Sequence, residues 1–366
     1  MIDLMITVDY EIFGDGTGEV KENLIRPMEE IRILCNKYDA KLTVFFDICE
    51  YWAFVDAERC NLLTHLEYSP SVLMKNQMIQ IIEDGHDVQL HLHPQWLGAQ
   101  YINNKWHLNF NKFRVADLPF AEIKELLLKG KNDLEEMLRL FNPHYRCVAF
   151  RSGAFSVQPS RFLVEALKET GFLIDSSVIK GFKRFDNPFW FDFMQAPSSW
   201  KPWWVKDDFL ENRSRQEANI LEIPIYSKII KRFWHFFILK VQYLVKLKKD
   251  LETLYPKGYS FKQRIKFIDK ISKDYIRYLF EDTAVVWDFC ALTHREMACL
   301  LNEAIKNESH HAIKYMPLVM IGHPKLYANQ INFEKFLIYS KRLVENKNIC
   351  FVTITDVVKH LFKHDQ

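Results

Sequence analysis

The stretch SVLMKNQMIQIIEDGHDVQLHLHP, residues 71–94, decides the fold. Its first part carries helix-like apolar spacing over 71–84, and Gly85 then breaks the helix. A short apolar run over 87–91 follows and ends at Pro94, which predicts a strand. Side chains of an extended segment alternate, so His91 and His93 project to one side, two imidazoles within reach of one ion. Either histidine alone is more often a satisfied polar side chain. Helix, glycine, strand, then polar residues at the strand end is the unit of an α/β fold, and it recurs in both directions along the chain.

Strands are predicted over 4–8, 42–46, 87–91, 147–150, 172–174, 220–224, 318–321 and 349–353, and helices over 27–38, 71–84, 121–140, 159–170, 295–307 and 332–346. The expected fold class is α/β, an irregular (β/α) barrel of about seven to eight strands with a mostly helical insertion. Residues 1–227 and 286–366 would form the barrel. Residues 228–285 would form the insertion, with helices over 228–254 and 260–281 on either side of a Pro-Lys-Gly break. No internal repeat interrupts this pattern.

Composition sets outer bounds. The chain has 366 residues, of which 48% are hydrophobic, enough to bury a substantial core. Its formal net charge of +2 offers no overall attraction to nucleic acid. The seven cysteines are scattered without metal-site or disulfide spacing, which suits a reducing cytoplasm. The start MIDLMITVDYEIFGDG reads as a core strand and not as a signal peptide. The longest uncharged apolar run, 233–239 between Arg232 and Lys240, is too short to span a bilayer. Peripheral membrane contact is expected through 228–249, where a basic amphipathic pattern would lie on a membrane, or would pack on the barrel or on a second copy.

Polar residues just past strand ends converge on one face of such a barrel. Asp9, His91, Arg151, Asp175 and His323 all hold that kind of position. In Asp9-Tyr10-Glu11 the two carboxylates point the same way if the strand continues, and a cation would let both stay ionised. An acidic strand end leading into a turn is the simpler reading of that triplet alone. Two imidazoles with one carboxylate form a facial set that leaves positions open for water and substrate. Zinc is the default because hydrolysis needs no redox chemistry; cobalt, nickel, manganese and iron suit the same donors. Arg151 presents a fork that could hold Asp9, or make a surface ion pair. His323, in IGHP, offers an acid near working pH, or is a loop histidine. Asp175 would orient that histidine, unless it only shapes a turn.

The strings TVDYE, KLTVFF, GHDVQLHLHP, FRSGAFS, GFLIDSSV and IGHP, in this order, resemble the polysaccharide deacetylase family, carbohydrate esterase family 4. The resemblance spans 1–225 and 315–358. It implies an irregular barrel that removes acetyl groups from glycans with a metal-bound water. Position by position, Asp9 resembles the base, His91 and His93 the metal histidines, Arg151 the residue holding the base, His323 the acid and Asp175 its tuning aspartate. Glu11 stands in for a metal aspartate that the family places where Tyr10 lies. The family's usual histidine spacing would put the second ligand at Gln95, and Gly153-Ala154 replace its proline and aromatic residue. These departures resemble a branch associated with surface polysaccharide, lipopolysaccharide or capsule.

Aromatic residues suggest how a sugar would be held. Trp96, Phe155 and Trp200 are the candidate substrate contacts; the alternative for the loop expected over 187–205, with Trp190, Trp200, Trp203 and Trp204, is that its own aromatics fold it onto the barrel. The function expected is removal of an N-acyl, chiefly N-acetyl, group from a carbohydrate, lipid-linked or nucleotide-linked. The competing expectations are hydrolysis of another C–N bond, such as an N-formyl nucleotide sugar, and a non-catalytic metal-binding scaffold.

Overall fold

Period-two alternation along strand β1 (Ile2–Tyr10) sorts its side chains onto two faces. Ile2, Leu4, Ile6, Val8 and Tyr10 pack outward with the helices, whereas Met5 joins a separate inner apolar cluster. Asp3, Thr7 and Asp9 share that inward parity and are buried. The computed structural model describes residues 2–231, 282–311, 316–346 and 349–361.

Eight further strands complete the main sheet: β2 (Leu42–Asp47), β3 (Asp87–Leu92), β4 (Ala149–Ser152), β5 (Ile174–Asp175), β6 (Trp203–Val205), β7 (Ile220–Glu222), β8 (Met316–Gly322) and β9 (Ile349–Phe351). Their order is β6-β7-β5-β4-β3-β2-β1-β8, with β9 paired to the start of β1. Every pairing is parallel except β6 with β7. A parallel bridge between Ile225 and Val319 joins the chain after β7 to β8, so the sheet curls back on itself as an irregular (β/α) barrel.

Helices α1 (Arg26–Lys37), α2 (Ile48–Arg59), α3 (Pro70–Glu83), α4 (Phe120–Arg139), α5 (Arg161–Glu169), α6 (His294–His311), α7 (Gln330–Asn346) and α8 (Ile354–Leu361) complete the set of regular α-helices among the described residues. Local chemistry sets their ends. Ser69 caps α3 by accepting from Val72 N, Pro70 opens its first turn, and Gly85 takes φ 74° where the chain leaves it. Asp47, the last residue of β2, caps α2 by accepting from Cys49 N and Glu50 N.

Inside the barrel, Met5, Phe45, Ala149, Ile174, Leu221, Val319 and Ile321 form a cluster with Ile354 and Val357 of α8. Ile354 N donates to Thr43 Oγ1 and Thr355 N to Asp87 Oδ2, which seats α8 across the strands' N-terminal ends. Each such fully buried side chain contributes about 1.5–3 kcal/mol relative to exposure. The lumen turns polar toward the opposite, C-terminal ends.

All eight predicted strands and six predicted helices are present. Several elements differ from expectation. Trp203–Val205 is a strand, because antiparallel pairing with β7 overrides its loop-like composition. Helices α2 and α8 and the hairpin of Gln100–Ile102 with Lys105–His107 were not foreseen. Residues 228–231, expected to begin a helix, instead lie in the strand Ser227–Lys231, paired antiparallel with Asp282–Val286. The predicted helical bodies beyond 231 and most of the membrane-contact segment lie outside the described residues. Among the described residues no helix is long and apolar enough to cross a membrane.

Candidate active site

Inward parity continues past the strand ends and gathers Asp9, Glu11, His91, His93, Arg151 and His323. Arg151 is wholly buried and engaged along its whole fork. Its Nη1 donates to Asp9 Oδ1 at 2.6 Å and to Thr7 Oγ1 at 3.0 Å; its Nε and Nη2 donate to Ser176 O and Ser176 Oγ at 2.6 and 3.1 Å. The Phe45 ring lies 4.0 Å from the guanidinium. Burial alone would raise the Asp9 carboxyl, but Arg151, with His91 and His323, holds it below the ordinary carboxylate range. Asp9 is therefore a carboxylate of fixed direction.

Glu11, His91 and His93 each offer a donor atom within 4.8 Å of the others. His91 Nδ1 donates to the carbonyl of Arg151 at 2.8 Å, which leaves Nε2 as the lone-pair nitrogen. That Nε2 is buried without a hydrogen-bond partner. An orphaned imidazole nitrogen beside a carboxylate and a second imidazole fits a divalent cation, so Glu11, His91 and His93 are the residues that would hold one. His93 Nδ1 sits 2.9 Å from Glu11 Oε2 and 3.1 Å from Asp47 Oδ2, and Asp47 Oδ1 also accepts from His93 N. Burial opposes charge on this ring, but the two carboxylates push it up to about 10. The helix-capping residue Asp47 thus also aims a candidate ligand.

His323 Nε2 faces Asp9 Oδ2 at 3.6 Å and Glu11 Oε1 at 3.9 Å. Asp175 does not join it. That carboxylate accepts from Ser177 N and Ser177 Oγ, both at 3.0 Å, because the Asp-Ser-Ser turn closes on itself. Asp175 instead shares the interior with Glu222, and burial raises both carboxyls. Asp288 lies near His323, and burial raises its carboxyl above the ordinary value, His323 offsetting part of that rise. Asp288 pairs with Ile321 next to β8, a position that follows an apolar strand but lay inside no predicted motif.

Lys325 was also missed. A turn of 3-10 helix, Pro324–Leu326, brings its Nζ to 2.8 Å from Glu11 Oε1 and 3.0 Å from the carbonyl of Ile12. Burial would raise Glu11, but His93 and Lys325 together hold it well below the ordinary range.

Asp9, Glu11, His93, His323 and Lys325 line a cleft of ≈ 470 Å³ together with Phe13, Phe110, Phe113, Phe155 and Phe189. Of the three expected aromatic contacts, only Phe155 lines it. Trp96 is 2% exposed and turns away to meet Phe54 and Trp106, because the tight turn Pro94–Trp96 reverses the chain after His93. Trp200 lines a different depression with Lys180 and Tyr226. On the cleft wall Ala154 and Phe155 both adopt left-handed backbone, φ 53° and 56°, a strain of about 1–3 kcal/mol each that is common at functional turns.

No family model matches the sequence, and no curated protein matches it either. Among solved structures the chain is similar to Puue allantoinase, with TM-score 0.48 and 12% identity over 100% of this chain and 91% of that one. It is similar to a putative polysaccharide deacetylase from Mycobacterium smegmatis, with TM-score 0.47 and 11% identity over 99% and 91%. A probable polysaccharide deacetylase from Pseudomonas aeruginosa PAO1 gives TM-score 0.46 and 13% identity over 100% and 91%. The likeness is one of architecture. What the residues do follows from their own geometry.

Proposed function

We propose that this chain is a metal-dependent hydrolase that removes an N-acyl group, chiefly N-acetyl, from an amino sugar or glycan precursor in surface-polysaccharide synthesis, with zinc as its ion. One observation carries the chemistry: Asp9 is locked by Arg151 at 2.6 Å beside Glu11, His91 and His93, with His323 on its other oxygen. A purely structural cation site has no use for a clamped base and a facing imidazole.

A divalent cation held there supplies Lewis acidity toward a carbonyl oxygen and lowers the pKa of a water. Asp9 takes the proton from the attacking water, and Arg151 keeps the receiving oxygen aimed and ionised. His323 donates to the departing amine, which leaves poorly as an anion. The backbone N–H at Phe155 is our candidate donor to the oxyanion. The phenylalanine walls present apolar faces to the C–H surfaces of a sugar ring.

Release of free amine and acetate from a panel of N-acetylated amino sugars, nucleotide-linked sugars and oligosaccharides tests this reading. Zinc-loaded protein should release both in equal amounts, and Asp9→Asn should lose about 10²–10⁴-fold of the rate while retaining the ion. Absence of amine release across the panel, or an Asp9→Asn rate near wild type, would sink it.

A further inference from the structure

Gln95 is fully buried, and neither its Nε2 nor its Oε1 has a hydrogen-bond partner among the described residues. Its backbone is anchored, since its carbonyl accepts from Asn109 N at 2.8 Å. Gln95 is among the residues around the catalytic cleft, and its Nε2 lies just behind another of them, 3.9 Å from where a Cβ on Gly14 would stand. A buried carboxamide lacking both partners is a standing cost to the fold, so such groups call for an explanation.

The neighbouring acceptors narrow that explanation. Asp9 Oδ1 is taken by Arg151, while Glu11 is shared between Lys325 and His93. The Gln95 carboxamide oxygen is a neutral acceptor with no such commitment. An acylamino group brings an N–H to the reacting carbonyl; an ester brings none. We infer that Gln95 reads the scissile group, its Oε1 accepting from the amide N–H of the substrate. The inference rests on the deacetylase reading and sharpens it: Gln95 selects N-acyl over O-acyl substrates. A site built to pair with an N–H discriminates strongly against an analogue that lacks it, because its own polar group is then left unpaired.

The test compares wild type with Gln95→Met, which keeps the volume and removes both polar atoms. The substrates are a 2-acetamido sugar and the 2-O-acetyl sugar of the same configuration. The variant should lose roughly 100-fold in kcat/KM on the amide and no more than about threefold on the ester. Its zinc content should equal that of wild type, and its Tm should be unchanged or higher. Equal losses on both substrates, or no loss on either, overturn the role of Gln95 alone. A fall in zinc content also overturns it by making Gln95 a metal ligand, and a fall in Tm by giving the carboxamide a partner within the fold. A zinc-loaded wild type that hydrolyses neither sugar overturns the deacetylase reading, and this inference with it.

Discussion

Arg151 Nη1 and Asp9 Oδ1 meet at 2.6 Å with side-chain exposures of 0% and 3%. Removing one partner leaves the other charge buried, so Arg151→Met should cost about 3–5 kcal/mol at neutral pH by urea unfolding. The native Asp9 carboxyl lies below its ordinary range, so its stabilisation is present above the unfolded value of 3.8 and is lost as pH falls through the lowered one. The gap between wild type and variant should therefore narrow on acidification. Arg151→Lys should not restore it, since a single ammonium cannot reach Thr7, Asp9 and both Ser176 acceptors.

Metal uptake should release a proton at neutral pH. His93, pushed up to about 10 between Glu11 and Asp47, is protonated before an ion arrives and must give up that proton to act as a ligand. Zinc titration calorimetry in buffers of different ionisation enthalpy should show the observed heat changing with the buffer. Buffer-independent heat would exclude His93 from the ligand set.

Gly153→Ala should weaken both fold and site. A Cβ there would meet the carbonyl of Leu92 and the His93 ring, and the backbone cannot yield as a flexible side-chain end can. A loss of about 1–3 kcal/mol, together with weaker zinc binding, is the expected outcome. Wild-type zinc affinity in this variant would mean that the His93 ring is free to move.

The pair Asp175–Glu222 sets a pH dependence of its own. Burial, and for Glu222 also its neighbour Asp175, raises both carboxyls above their ordinary values of 3.8 and 4.5. Raised acids stabilise the fold at low pH and lose that contribution as pH climbs through the native values. Glu222 Oε1 accepts from Val178 N and its Oε2 accepts from no donor, so a glutamine can reproduce the protonated form. Glu222→Gln should keep the fold and flatten the decline of Tm with rising pH; an unchanged slope would deny the pairing.

The sequence carried the barrel because its signals are local: apolar runs of strand length, helical spacing, and Gly85 between them. Asp9, Glu11, His91 and His93 were legible for the same reason, since strand parity places them in the lumen. Lys325 and Asp288 were not, because a tight turn and a neighbouring strand bring them in from outside any motif. Trp96 was misplaced because parity ends at Pro94. Helix α2 escaped notice because buried residues lie on more than one of its sides, including Ile48, Cys49, Glu50, Ala53, Phe54 and Ala57, which blurs the apolar stripe. The strand at 228–231 owes its form to pairing with Asp282–Val286, a contact between residues far apart in sequence.

The central claim concerns where an ion sits. Crystals of the zinc-loaded protein, measured at the zinc edge, should give one anomalous peak about 2.0–2.2 Å from a His91 ring nitrogen, a His93 ring nitrogen and a Glu11 carboxylate oxygen. A peak whose coordination shell omits His91 and Glu11 would contradict the account.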